Sequence, residues 1–125
     1  MKHLLDSNTL IYAARPGAAY AALRQWVQRL DVAVSALVQV EVLGFHSLEA
    51  ADEIYLRLAL ARLPELPVTT PILQQAILVC QQFRLKTIDA IIAATALVHD
   101  LDLVTADADF VRVAGLTVVN PLVDA

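Results

Sequence analysis

The sequence predicts an α/β domain, with a short, mainly parallel β-sheet covered by helices on both faces. Apolar runs of four or five residues alternate with segments whose apolar residues recur at helical spacing, the order of βαβ units. Only three glycines occur, so connections are short and helices extensive. Hydrophobic residues make up 58% of the chain and charged residues 18%, which excludes a disordered polar chain and suits strands enclosed on both faces. At 125 residues, a single domain over 1–125 can bury one core without staples.

Lys2–Asp6 reads as the first strand. A short helix over Asn8–Ala14 follows and stops at Arg15-Pro16-Gly17. Ala18–Leu30 places Leu23, Trp26, Val27 and Leu30 on one face of a helix. Val32–Ser35 is a short strand leading into a helix over Ala36–His46. The next helix, Leu48–Leu63, ends before Pro64. Leu66–Thr70 reads as a strand, and Pro71 suits the first turn of a helix to Phe83, where its missing N–H has no partner to lose. Thr87 is a candidate N-cap for a helix to His99. Asp102–Thr105 and Leu116–Val119 are the last expected strands, with a short helix over Ala108–Val113 between them.

Composition also limits function. The lone cysteine, Cys80, has no intrachain disulfide partner and lies in a helical run, so it is expected in the core and the compartment is expected to be reducing. No apolar run reaches the roughly 18–20 residues of a membrane span, so a soluble, cytoplasmic protein with no membrane partner is expected. The net charge of −4 argues against nucleic-acid binding through bulk charge, but not against an acidic site neutralised by a cation. No phosphate-binding glycine loop, paired CxxC, H-E-x-x-H or G-x-S-x-G motif is present. His3, His46 and His99 read as surface or helix-end residues.

The acids are more informative. Of the 13, Glu49, Asp52, Glu53, Glu65 and Asp124 have loop or polar-face settings. Four others keep apolar company. Asp6 follows His3-Leu4-Leu5, Glu41 lies among Leu37, Val38 and Phe45, Asp89 opens T-I-D-A-I-I-A-A, and Asp107 follows Leu101–Thr105. In an open α/β sheet, ligands bind outside the carboxyl ends of strands, where Asp6 and Asp107 fall. Buried unpaired carboxylates are costly, and converging ones repel one another. Nine Lys plus Arg offer few neutralising partners. A divalent cation relieves both problems, and a donor set without His or Cys favours Mg²⁺ or Mn²⁺ over Zn²⁺. Each acid alone has a simpler role. Asp6 can cap a helix, Asp89 can complement a helix N-terminus, and Asp107 or, preferably, Asp109 can cap the short helix containing Phe110. Glu41 can pair with an arginine.

The segments L-L-D-S-N-T-L-I-Y, V-S-A-L-V-Q-V-E-V-L-G, T-I-D-A-I-I-A-A-T-A-L and L-V-T-A-D-A-D-F together resemble the PIN-domain family, in particular the VapC-like ribonuclease toxins of type II toxin–antitoxin systems. The resemblance spans nearly the whole chain. It implies a single PIN-like nuclease domain with catalytic acids at Asp6, Glu41, Asp89 and Asp107, of which Asp6, Asp89 and Asp107 hold Mg²⁺ or Mn²⁺. Asn8, Ser35 and Thr105 match supporting positions, and Asp109 matches a frequent extra acid. Phe83-Arg-Leu-Lys-Thr87 departs from the family by lacking a glycine often found there, and offers Arg84 and Lys86 to substrate phosphates. The resemblance further implies an RNA substrate, a homodimer and a cognate antitoxin protein. Ala18–Leu30 and Leu48–Leu63 are candidate contact helices.

Two other readings compete. D-S-N-T-L is similar to a degraded D-x-D-x-T motif of haloacid-dehalogenase-like phosphatases, with Asp6 as nucleophile, but Asn8 replaces the acid needed for proton transfer. Alternatively, the chain is a non-catalytic PIN-like interaction module whose acids are structural.

Overall fold

The computed structural model describes residues 1–123. Asp124, expected at the surface, lies outside the described residues. Five strands, β1 (His3–Leu5), β2 (Val32–Ser35), β3 (Glu65–Leu66), β4 (Asp102–Val104) and β5 (Val118–Val119), form one sheet in the order β3-β2-β1-β4-β5, and every pairing is parallel. Six α-helices, α1 (Ser7–Ala13), α2 (Ala21–Val27), α3 (Leu37–Leu43), α4 (Ala50–Arg62), α5 (Thr70–Phe83) and α6 (Thr87–His99), connect the strands, with 3₁₀ turns at Ala18–Tyr20 and Ala108–Arg112. This is the expected α/β architecture.

Successive strand residues point to opposite faces, yet His3–Leu5 and Val32–Ser35 are buried throughout. Both faces of the sheet are therefore covered. Helix α1 packs on α2, α3 and α4, and α5 packs against α6. Leu4, Leu5, Val34, Val38, Leu56, Ile72, Leu103 and Val104 are among the residues at the centre of the core. The strand order reverses at β1, with β2 and β3 on one side and β4 and β5 on the other. This creates a switch point between β1 and β4, where the connections diverge and leave a crevice at the strands' carboxyl ends.

Several expectations need correction. The segment Ala18–Leu30 forms a 3₁₀ turn followed by a helix that ends at Val27. Leu23, Trp26 and Val27 are buried, but Leu30 lies beyond the helix and is 96% exposed. The strand expected at Leu66–Thr70 is only Glu65–Leu66, because pairing stops after Ser35↔Leu66 and the next helix starts at Thr70. Pro71 does lie in that helix's first turn. Thr87 is the first helical residue, while Lys86 takes the cap position without a side-chain hydrogen bond.

His3 is not a surface residue. It is 6% exposed, with Nδ1 3.3 Å from Asp31 Oδ2 and Nε2 3.9 Å from Asp102 Oδ2. Its ring meets Trp26 edge-on at 4.9 Å between centroids. The Arg29 guanidinium holds the Asp31 carboxyl well below the usual range through two hydrogen bonds, and also lies over the Trp26 ring. The cluster closes the sheet edge where the strands begin.

No helix among the described residues is long and apolar enough to cross a membrane. Cys80 is half-buried against the core.

Candidate active site

Asp6 leaves the sheet at the end of β1 and becomes the N-cap of α1. Its backbone is extended, and its Oδ1 accepts hydrogen bonds from Thr9 N–H (2.9 Å) and Thr9 Oγ1 (2.6 Å). The capping role and a role in the crevice therefore coincide in one side chain. Thr105, directly after β4 and 1% exposed, donates its hydroxyl to Asp6 Oδ2 at 2.5 Å and accepts Asp107 N–H at 3.1 Å. One buried hydroxyl thus links the carboxyl ends of the two strands that flank the switch point. Burial pushes the Asp6 carboxyl up, the threonine hydrogen bonds pull it back, and the Asp107 charge raises it further.

Asp107 caps the 3₁₀ turn, its Oδ1 accepting Asp109 N–H at 2.9 Å. That corrects the expected cap: Asp109 is the first-turn acid, exposed and 4.0 Å from Arg112 Nη2. Asp107 is displaced from bulk solvent by its neighbours, whereas Asp109 faces outward and does not line the crevice.

Glu41 comes from the last turn of α3 and receives the Ser7 hydroxyl on Oε1 at 2.5 Å. This fixes α3 to the start of α1 and answers the arginine alternative, since Glu41 joins no ion pair among the described residues. Ser7 was not a predicted site residue. The only sequence signal for it is a hydroxyl beside Asp6, which capping chemistry explains equally well. Ser35 is fully buried and accepts Leu37 N–H at 3.3 Å, so it supports the start of α3 rather than facing the crevice.

Asp89 sits in the first turn of α6, half-buried, and its carboxylate accepts no hydrogen bond among the described residues. Burial raises its pKa, and the negative charges of Asp107, Glu41 and Asp6 add to the shift while Lys86 opposes it. Asp89 thus feels the charge of each of the other three acids.

Asp6, Glu41, Asp89 and Asp107 line one cavity of about 50 Å³, together with Ser7, Asn8, Ile92 and Phe110. Arg84 and Lys86 do not line it. They occupy the turn between α5 and α6, exposed, with Arg84 in the left-handed conformation at φ 56°. That is the conformation glycine favours, so the missing family glycine leaves an arginine in a glycine-like backbone position.

The donor set fits a hard divalent cation. Four oxygen-bearing side chains face one cavity, none is ion-paired with Lys or Arg among the described residues, and at least two are raised by burial and mutual repulsion. As placed, however, no three His, Cys, Asp or Glu side chains among the described residues form a ready ligand group. The hydrogen bonds explain the difference: Asp6 is turned toward Thr9 and Thr105, and Glu41 toward Ser7. A carboxylate has about four lone-pair sites, so these bonds leave acceptor capacity for a cation.

Together, a five-stranded parallel sheet and a carboxylate cluster at its switch point define an α/β domain with an acidic crevice among the described residues. The PIN domain model matches residues 3–116, and the chain belongs to the PIN domain family. Among solved structures, a toxin–antitoxin complex from Klebsiella pneumoniae is similar at TM-score 0.78 and 29% identity, covering 96% of this chain and 98% of that one. FitAcB from Neisseria gonorrhoeae is similar at TM-score 0.73 and 25% identity, with 95% and 97% covered. VapBC2 from Rickettsia felis, bound to a promoter DNA fragment, shares the fold at TM-score 0.77 and 21% identity, with 96% and 98% covered. No curated protein sequence matched this chain.

Proposed function

We propose that this PIN domain is an Mg²⁺- or Mn²⁺-dependent endoribonuclease and the VapC-like toxin of a toxin–antitoxin pair. The observation that carries the reading is the gathering of Asp6, Glu41, Asp89 and Asp107 around one cavity, with no Lys or Arg side chain ion-paired to them among the described residues. Asp6, Asp89 and Asp107 would hold the cation. When bound, it supplies charge neutralisation at the scissile phosphate and activation of water. Glu41, steadied by Ser7, orients the attacking water and accepts its proton. Thr9 and Thr105 fix the Asp6 carboxylate, and Asn8, exposed at the cavity's edge, offers an amide to the substrate. Arg84 and Lys86 meet flanking RNA phosphates, and Asp109 supports the Asp107 turn. Family membership removes the phosphatase alternative.

The full-length similarity to the Klebsiella toxin–antitoxin complex supports a cognate antitoxin. Exposed Ile54 and Leu58, one turn apart on α4, support that helix as a homodimer or antitoxin contact. Helix α2 is a weaker candidate, because its apolar residues are spent on the core. Cytoplasmic location follows from the same reading.

RNA cleavage by purified protein is measured with and without Mn²⁺, beside Asp6→Asn and Asp89→Asn. Mn²⁺-dependent cleavage by the wild type and its loss in both variants is the expected result. Equal, metal-independent activity in all three sinks the nuclease reading. Absence of both cleavage and Mn²⁺ binding favours the non-catalytic module.

A further inference from the structure

A second, larger cavity of about 430 Å³ opens beside the carboxylates and shares two lining residues with them, Asn8 and Asp107. Its other walls include Tyr12, Tyr20, Leu23 and Leu122. The volume lies within the roughly 300–1,000 Å³ of small-molecule sites, and apolar walls with a few polar groups at one side are their usual make-up. Nothing in the chemistry at the carboxylates requires such a space. We propose that it is a nucleobase subsite, which receives one unpaired base of the RNA whose scissile phosphate lies at the acids. The proposal rests on the nuclease reading above and names how that site selects substrate.

Several independent features favour a base as the occupant. The Tyr12 and Tyr20 rings are near parallel, 15° apart with centroids at 6.0 Å, and Tyr12 keeps 44% of its surface exposed. This is a preformed and partly exposed aromatic wall, and flat bases stack on such rings whatever their identity. The Asn8 amide and the Asp107 carboxylate provide hydrogen-bonding groups where the two cavities join, within reach of a base edge. An isolated anion is disfavoured there by Asp107 itself. At the Tyr12 wall, the Arg15 guanidinium lies 5.7 Å from the ring centroid, and its buried Nε has no hydrogen-bond partner among the described residues. Arg15 does not line the cavity itself, and its charge complements a phosphate outside the base pocket. The shared residues make the two cavities neighbours, as adjacent units of one strand require. A base in a stacked duplex cannot enter, so the subsite also selects single-stranded segments.

The test titrates adenosine, guanosine, cytidine and uridine into the protein, followed by saturation-transfer NMR. Free ribose is the base-less control, and N-acetyltryptophanamide represents an apolar peptide side chain. At least one nucleoside is expected to bind ten-fold or more tighter than ribose. Tyr12→Ala should weaken it roughly 5- to 150-fold, the range for removing a base-stacking ring. Ala19→Trp, at an exposed position that lines the cavity, should block binding without disturbing the core. Binding no better than ribose, unchanged binding in the Ala19→Trp variant, or equal binding of the tryptophan amide overturns the subsite, the last marking a peptide site instead. Cleavage assays on the same preparations separate the two readings. Mn²⁺-dependent cleavage without nucleoside binding removes the subsite alone. Nucleoside binding without cleavage removes the nuclease reading and leaves a base-binding cavity.

Discussion

Thr105→Val is the most revealing perturbation of the site. Valine keeps the shape and burial of Thr105 but deletes a hydroxyl that donates to Asp6 and accepts from Asp107 N–H. A hydrogen bond to a charged group contributes about 1.5–3 kcal/mol, and one between neutral groups about 0.5–1.5 kcal/mol. The expected loss of stability with Asp6 ionised is therefore about 2–4.5 kcal/mol, as their sum. The dependence on pH is the sharper part. Burial raises the folded-state pKa of Asp6 above its unfolded value, and the Thr105 hydroxyl opposes that rise. Between those two values the folded state binds the extra proton, so stability falls as pH rises. The variant raises the folded value further, which extends its falling limb to higher pH. Its deficit should be full above the variant's folded pKa and shrink as pH falls from there through the wild type's folded pKa. Urea unfolding of both proteins, metal-free, at one mildly acid and one mildly alkaline pH checks this. A deficit of equal size at both pH values would refute the proposed link between Thr105 and the Asp6 charge, and one below about 0.5 kcal/mol would refute the magnitude.

Mn²⁺ should raise the thermal midpoint of the wild type, by the equivalent of about 2.7 kcal/mol at a hundred times the dissociation constant. Asp89→Asn should lose most of that shift and yet be more stable than the wild type without metal, because it removes a charge repelled by Asp107, Glu41 and Asp6; differential scanning fluorimetry reads both. Asp100→Gly should gain about 1 kcal/mol in urea unfolding, since Asp100 holds φ at 55° and puts an anion at the carbonyl end of α6.

Much of the site was legible because its acids break local rules. A carboxylate ending an apolar strand, and another among apolar helical neighbours, each ask for a partner, and both Asp6 and Glu41 face the same cavity. What stayed hidden depends on pairing between distant segments. Ser7 was ambiguous because its bond to Glu41 joins two helices that the sequence does not bring together. His3 reads from the sequence as a surface or helix-end residue, yet Asp31, Asp102 and Trp26 enclose it from three separate segments. Leu30 continues the helical spacing of Leu23 and Val27, but the chain turns at Gln28 and leaves it in solvent. Asp107 and Asp109 are both competent caps, and only the backbone path of the 3₁₀ turn selects Asp107.

The place of β1 in the sheet has a consequence for how the chain assembles its acidic cavity. The central strand is made from the first residues, and one of its two neighbours, β4, from residues past one hundred. Closing that pair means paying the entropy of a loop nearly as long as the chain before its contacts give any return. Asp6 gains its Thr105 anchor, and the cavity gains Asp107, only in that step. During synthesis the emerging chain therefore carries Asp6, Glu41 and Asp89 for some time before the cavity that gathers them can close.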